Sequence, residues 1–269
     1  MKSLSERFKV EPGTRVDLSK IGAGDTPGAK GKKSVLSAHE RNLRDLEALQ
    51  YRLYAEGQRS VLVVLQAMDA GGKDGTIRRV LSAMDPLGCR AVAFKKPTPE
   101  ELAHDFLWRI HRSAPAKGEV VIFNRSHYED VLVVRVRELA PREVWKRRYR
   151  HINEFEKLLA DGGTHIVKFF LHISKEEQAE RLRARLADPT KHWKVNDEDF
   201  VERRRWDDYM SAYEDALSQC STAVAPWYII PADHKWYRDH AVAGILRERL
   251  EAIDPQFPPA KTDVSKLRV

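Results

Sequence analysis

Apolar positions along the chain fall into two alternating patterns. Short, nearly unbroken runs read as buried strands over Ser60–Leu65, Arg90–Phe94, Val120–Phe123, His165–Ile173 and Trp227–Ile230. Longer segments with helical spacing lie among them. Ser34 to Glu56 carries Leu43, Leu46, Leu49, Leu53 and Tyr54 on one stripe, and further helices are predicted over Ile77–Met84, Glu143–Leu159, Ser174–Ala187 and Lys235–Ala252. Local signals mark their ends. Thr98-Pro99-Glu100-Glu101 supplies a capping hydroxyl, a proline at the first helical position and early acids, and Ser174-Lys175-Glu176-Glu177 repeats the cap and the acids. Asp161-Gly162-Gly163 stops a helix just before the fourth strand. Strands separated by helices predict an α/β fold, a five-stranded parallel sheet covered on both faces, within one domain spanning 1–269.

Three segments depart from that alternation. Residues 1–33 are polar and rich in Gly, Lys and Asp, and read as an arm on the surface or on a neighbouring subunit. Residues 255–269 carry three prolines and no apolar period, and read as a tail. Between about 174 and 208, the Asp188-Pro189-Thr190 break interrupts a stretch dense in Arg and Lys. Acids share that stretch, so a solvated helical hairpin laced with ion pairs competes with a lid that closes Arg185, Arg204 and Arg205 over a phosphate chain.

Charge sharpens this picture only a little. Of 269 residues, 42% are hydrophobic and 32% charged, with a net charge of +7. An anionic partner is favoured, but nucleotides, polyanions and nucleic acid remain equally served. Cys89 and Cys220 are too few for a disulfide framework or a Cys-ligated zinc site. The first residues lack the apolar core of a secretory signal, and no window approaches the length of a membrane span, so a cytoplasmic enzyme is expected.

The chemistry concentrates at the end of the first strand. Gln66-Ala67-Met68-Asp69-Ala70-Gly71-Gly72-Lys73-Asp74-Gly75-Thr76 follows the apolar run and precedes a helix. Strand, glycine turn with lysine, then helix is the layout of a phosphate-binding loop, whose inward N–H groups and helix terminus attract anions. Against the pattern G-x-x-x-x-G-K-[ST], Ala67 stands for the first Gly and Asp74 for the Ser/Thr. The candidate phosphate seat is Gly71, Gly72, Lys73, Gly75 and Thr76. A carboxylate beside Lys73 would repel phosphate unless a cation intervenes, so Asp69 and Asp74 are the candidate ligands of Mg²⁺. An ordinary βα turn, glycines serving geometry alone, is the competing reading.

The third strand ends in Phe123-Asn124-Arg125-Ser126-His127-Tyr128-Glu129-Asp130. Asn124 stands where phosphate-loop enzymes often place a metal-binding acid, and it carries no charge. The planar fork of Arg125 suits phosphate oxygens; a salt bridge from Arg125 to Glu129 or Asp130 is the structural alternative. If the stretch is helical, Arg125 and Glu129 share one face.

These two motifs, with Arg203-Arg204-Arg205-Trp206-Asp207-Asp208-Tyr209, resemble the polyphosphate kinase 2 family over about Ser34 to Ala252. The resemblance implies a P-loop kinase-like core with a helical lid, and Mg²⁺-dependent phosphoryl transfer between inorganic polyphosphate and a nucleotide, with Mn²⁺ as an alternative ion. Some members carry an acid at the slot of Asn124 and an Asn at that of Glu129. Having Asn124 and Glu129, this chain resembles the class III subgroup, which phosphorylates both AMP and ADP. Asp69, Lys73, Asp74 and Arg125 are then the catalytic candidates, and Arg125, Glu129 and Asp130 the nucleotide contacts. Asp74 fits two roles, metal ligand or orienting base for the acceptor phosphate. Guanine nucleotides are further candidate acceptors. A homo-oligomer is expected, and neither nucleic acid nor membrane is expected as a partner. Two rivals stand beside this reading: an ATP-dependent nucleotide or small-molecule kinase on the same fold, and a non-catalytic polyanion- or RNA-binding module with a dead phosphate loop. No other chemistry competes: His234 and His240 are off helical register for chelation, and His111, His127 and His172 stand alone.

Overall fold

The computed structural model describes residues 2–268. Helix α1 (Leu4–Phe8) opens the chain and α2 (Lys32–Glu56) follows the arm. Then come β1 (Ser60–Gln66), α3 (Lys73–Arg79), β2 (Cys89–Ala93) and the single turns α4 (Pro99–Leu102) and α5 (Trp108–His111). They lead to β3 (Val120–Asn124), α6 (Val133–Val136), α7 (Arg142–Asp161) and β4 (Thr164–His172). The last elements are α8 (Lys175–Leu186), α9 (Asp197–Arg204), α10 (Trp206–Cys220), β5 (Trp227–Pro231) and α11 (Lys235–Ile253).

The five strands form one sheet in the order β2-β3-β1-β4-β5, with every neighbouring pair parallel. Every residue of β1 is buried, as a central parallel strand covered on both faces requires. Crossovers from β1 to β2 run one way along the sheet and those from β3 to β4 and β5 the other. Right-handed connections therefore put α3 on one face and α7 and α10 on the opposite face. Helix α11 packs along α2 and touches α3, completing the first outer layer. The result is the expected three-layer α/β architecture.

Two expectations change. The helix after the glycine loop does not run from Ile77 to Met84. It starts at Lys73, directly behind Gly72 at φ +106°, and ends at Arg79, with a separate 3₁₀ turn over Leu81–Ala83. The glycine's left-handed backbone sets the helix start earlier than apolar spacing shows. The N-terminal arm, in turn, lies on its own subunit. Lys9 forms an antiparallel bridge to Tyr228, Val10 N–H donates to Trp227 O (2.8 Å), and Val10, Val16 and Leu18 are buried. The arm thus covers the open edge of β5, where unpaired backbone groups would otherwise be exposed.

Candidate active site

Adjacent strands bring the two chemical motifs together. Leu65 of β1 is in register with Asn124 of β3, so the phosphate loop and the Asn124–Asp130 segment leave the sheet side by side. From this pair the crossovers diverge in opposite directions. Such a switch point, at the carboxyl ends of parallel strands, opens the crevice where α/β folds bind ligands.

Two polar contacts join loop to strand end. Arg125 Nη2 donates to Asp69 Oδ1 at 2.7 Å, and Asn124 Nδ2 donates to Asp74 Oδ1 at 2.9 Å. Arg125 holds φ +63°, a left-handed conformation uncommon outside glycine, and Ala70 in the loop holds +57°. Strain of this kind persists where surroundings impose it, and here it sits in the two loops that face each other. The structural alternative for Arg125 takes a different partner from those the sequence offered, Asp69 across the crevice. Burial works against its charge, but the Glu129 and Asp69 carboxylates outweigh that and raise its pKa. Arg125 is a permanent cation here.

Lys73 is buried, and its Nζ donates back to Ala67 O (2.8 Å) and Met68 O (3.4 Å). Burial, then the Arg125 guanidinium, lowers the Lys73 pKa; Asp69, Glu129 and Asp74 oppose the shift. Both cations and all three carboxylates therefore lie within electrostatic reach of one centre.

Asn124 now has a physical role. An acid in its place would stand 2.9 Å from Asp74, where two carboxylates cannot both ionise without a cation between them. The amide donates instead. On its other oxygen Asp74 receives Lys194 Nζ at 3.0 Å, from the 3₁₀ turn Pro189–Lys194. Burial pushes the Asp74 carboxyl up, but Lys194 and Asn124 hold it below the usual value.

As metal donors, Asp69 and Asp74 offer hard oxygens only. Among the described residues no group of three or more His, Cys, Asp or Glu converges. One or two carboxylates, with the remaining positions left to water and phosphate oxygens, is how Mg²⁺ is usually held, so the donor set fits that ion.

The remaining candidates divide. Glu129 is not on a helix with Arg125; the 3₁₀ turn covers His127–Asp130, and Arg125 precedes it in extended-to-left-handed backbone. Glu129 nonetheless faces the crevice, accepting from Gln66 Nε2 at 3.1 Å and acting on Arg125. Asp130 instead binds Arg148 (3.1 Å), and burial pushes its carboxyl up to about 6 against the pull of Arg148 and Arg109. Arg185 is paired to Asp199 (2.7 Å), Arg205 donates to Val136 O (2.5 Å), and Arg204 is exposed. The segment between β4 and β5 is indeed laced with ion pairs, Arg183–Glu180 and Lys191–Asp188 among them. It also grips the phosphate loop: Gln178 donates to Asp69 O (2.9 Å) and Arg181 to Ala70 O (3.1 Å).

Arg238 was not legible from sequence. It is 1% exposed and bonded to Asp239 through Nε (2.9 Å) and Nη2 (2.6 Å). Its Nη1 lies 1.9 Å from where a Cβ on Gly72 would stand, so Gly72 leaves room for this brace as well as adopting positive φ. On sequence Arg238 is one more charged residue in an ordinary helix.

Comparison with known proteins places the chain in a family. The chain is 54% identical, over 97% of its length and 98% of the relative's, to a Meiothermus ruber protein named AMP/ADP-polyphosphate phosphotransferase. It is 43% identical to an ADP-polyphosphate phosphotransferase of Rhodopseudomonas palustris, over 96% of this chain and 93% of that one. A crystal structure of polyphosphate kinase 2 from Arthrobacter aurescens superposes with a TM-score of 0.92 at 45% identity, covering 98% of this chain and 94% of that chain. With residues 30–258 also matching the model of polyphosphate kinase 2, the chain belongs to the polyphosphate kinase 2 family.

Proposed function

We propose that this protein transfers the terminal phosphate of inorganic polyphosphate to AMP and to ADP. The observation that carries this reading is the facing of Lys73 and Arg125 across the junction of the phosphate loop and the end of β3, in a chain of this family. The acceptor's terminal phosphate oxygen attacks the last phosphorus of polyphosphate. The new P–O bond forms as the bridging bond to the next phosphate breaks, and polyphosphate leaves one unit shorter. A phosphoanhydride is made for each one broken, so the reaction runs in both directions.

The chain's residues supply position and charge, which is most of what phosphoryl transfer needs. Loop amides around Gly71, Gly72, Gly75 and Thr76 seat the phosphates. Lys73 and Arg125 oppose the negative charge of the two ends that must meet. Lys194 carries a further cation onto the loop from the 174–208 segment, which acts as the lid, and leaves Asp74 for a phosphate when the substrate enters. Arg204, exposed on the same segment, is available to the polyphosphate chain. Asp69 and Asp74 would hold Mg²⁺, or Mn²⁺ in its place, which would supply positive charge to offset that of the phosphates. Once Lys194 moves, Asp74 is also placed to orient the acceptor phosphate.

Acceptance of both AMP and ADP follows the subgroup pattern of Asn124 with Glu129 and the printed name of the Meiothermus relative. Guanine nucleotides are included as acceptors, since the crevice contacts named above, Lys73, Arg125, Asp69 and Asp74, are all suited to phosphate and metal rather than to a base. Leu36, Tyr51 and Tyr54 are exposed on α2 and support a homo-oligomer. Free Cys89 and Cys220, nucleotide substrates and the lack, among the described residues, of any helix long and apolar enough to cross a membrane fit action in the cytoplasm.

The deciding experiment offers AMP, ADP, GMP and GDP in turn, with Mg²⁺ and either polyphosphate or ATP as donor, and resolves the products. Polyphosphate should convert AMP to ADP and ATP. Turnover with ATP but not polyphosphate would establish the conventional kinase, and no turnover with either donor would leave a binding module.

A further inference from the structure

Directly behind the Arg125–Glu129 loop lies a charge cluster with no access to solvent. Lys168 of β4 and Glu156 of α7 are both 0% exposed, with Lys168 Nζ 2.5 Å from Glu156 Oε2. The ammonium also donates to Tyr128 Oη and to Cys220 O, each at 2.7 Å, and stands 5.2 Å from the ring centres of Tyr128 and Trp227. Glu156 Oε1 accepts from Tyr128 Oη (2.9 Å) and bonds His127 Nε2 (3.2 Å). Burial pushes the Glu156 carboxyl up, and the Lys168 ammonium outweighs it and holds the group ionised.

A buried ion pair is weak evidence for stability, because desolvating two ions consumes most of what their attraction returns, and apolar replacements of similar volume are often as stable. The arrangement calls for another account, and its contacts supply one. His127 and Tyr128 are the residues between Arg125 and Glu129. Arg125 is held at φ +63°, and among the described residues its side chain hydrogen-bonds only to Asp69, across the crevice. The backbone of this loop is fixed from beneath, through two consecutive side chains that end on one carboxylate.

We propose that Glu156 and Lys168 are positioning residues for the reaction. Through His127 and Tyr128 they set the loop geometry that aims Arg125 and Glu129 into the crevice. Both charges of this network are paired, although His127 Nδ1 has no partner, and such a network specifies one arrangement more sharply than apolar packing does, since a shift leaves a charge unpaired. The activity arm of this inference rests on the phosphotransferase reading; the structural arm does not.

The test is the double variant Glu156→Gln with Lys168→Met, which removes both charges and keeps the volume. Its melting temperature should stay near that of the parent, while amide hydrogen exchange over 124–131 accelerates about tenfold or more. The ratio of kcat/KM for AMP to that for ADP should change about threefold or more. This ratio is independent of how much enzyme is folded, so a merely structural role would leave it unmoved. Should the double variant fail to fold, Tyr128→Phe with His127→Phe removes both links and leaves the ion pair, and the same two measurements apply. Exchange over 124–131 at the parent's rate overturns the proposal, whatever happens to the melting temperature. If the parent turns over no polyphosphate, the functional reading falls and the exchange rate alone decides the positioning.

Discussion

Gly72→Ala should unfold the phosphate loop's support rather than merely trim its activity. Gly72 sits at φ +106°, where an added Cβ costs roughly 1–2 kcal/mol. That Cβ would also lie 1.9 Å from Arg238 Nη1 and 3.0 Å from its Cζ. Arg238 cannot step aside cheaply. Its Nε and Nη2 are both on Asp239 Oδ1, and Asp239 Oδ2 is on Arg79 at 3.0 Å. Displacing the guanidinium breaks a buried, charge-assisted bond worth about 1.5–3 kcal/mol. Together these give a loss of about 2.5–5 kcal/mol, or a fall in Tm of roughly 5–20 °C for a chain of this size. Gly75 is the internal control. A Cβ there meets the end of the half-exposed Arg79 side chain at 3.0 Å and Arg238 Nη2 at 3.3 Å, tight contacts but not an overlap, and its φ is not positive. Gly75→Ala should therefore cost at most about 1 kcal/mol, well below Gly72→Ala, because alanine's better helix propensity offsets the tight contacts. Urea unfolding followed by circular dichroism reads both variants. A loss below about 1 kcal/mol for Gly72→Ala would refute the argument. In an Arg238→Met background the same substitution should cost only its backbone part; an undiminished cost would refute the steric part alone.

Further outcomes follow from the same site. Lys73→Ala should lower kcat about a hundredfold or more in a folded protein, because one preorganised charge at the transferred group is lost; near-parental turnover would remove Lys73 from the mechanism. Asp69→Asn activity should recover in part with excess Mg²⁺ and Asp74→Asn activity should not, if Asp74 acts on the acceptor phosphate; equal recovery would make both plain metal ligands. Glu129→Asn should depress kcat/KM for AMP more than for ADP, and an equal fall would detach Glu129 from acceptor choice. Asp130, raised by burial from 3.8 to about 6, binds a proton more readily folded than unfolded, so its contribution to stability falls as pH rises between those values. Asp130→Asn should therefore stabilise the fold above about pH 7, by on the order of 1–3 kcal/mol in urea unfolding, and the gain should vanish below about pH 4; a gain that does not change with pH would refute the shift.

Periodicity, glycine and capping are local properties, and they were enough to place every strand within about two residues. The parallel α/β class followed from the alternation, and the motifs around Lys73 and Arg125 from residue type and spacing. Ser174 and Thr98 cap their helices as their neighbours suggest, each accepting the backbone N–H three residues on. The sequence also contained the chemical identity of the crevice, since Asp69, Lys73, Asp74, Arg125 and Glu129 all lie within reach of one centre.

Partner choice was decided only in three dimensions. Strand order puts β3 beside β1, and that adjacency, which no local pattern encodes, pairs Arg125 with Asp69 and Asn124 with Asp74. It is folding, too, that sets Asp130 against Arg148. Arg181, Lys194 and Arg238 reach the loop from segments more than a hundred residues away in sequence. Long side chains on exposed-looking helices give no sign of such contacts, because a guanidinium or ammonium is distinguished by the partner that meets it. The Glu156–Lys168 pair shows this most plainly: in sequence they are two ordinary charges on a helix and a strand, and only folding removes both from water and sets them beneath the loop that carries Arg125.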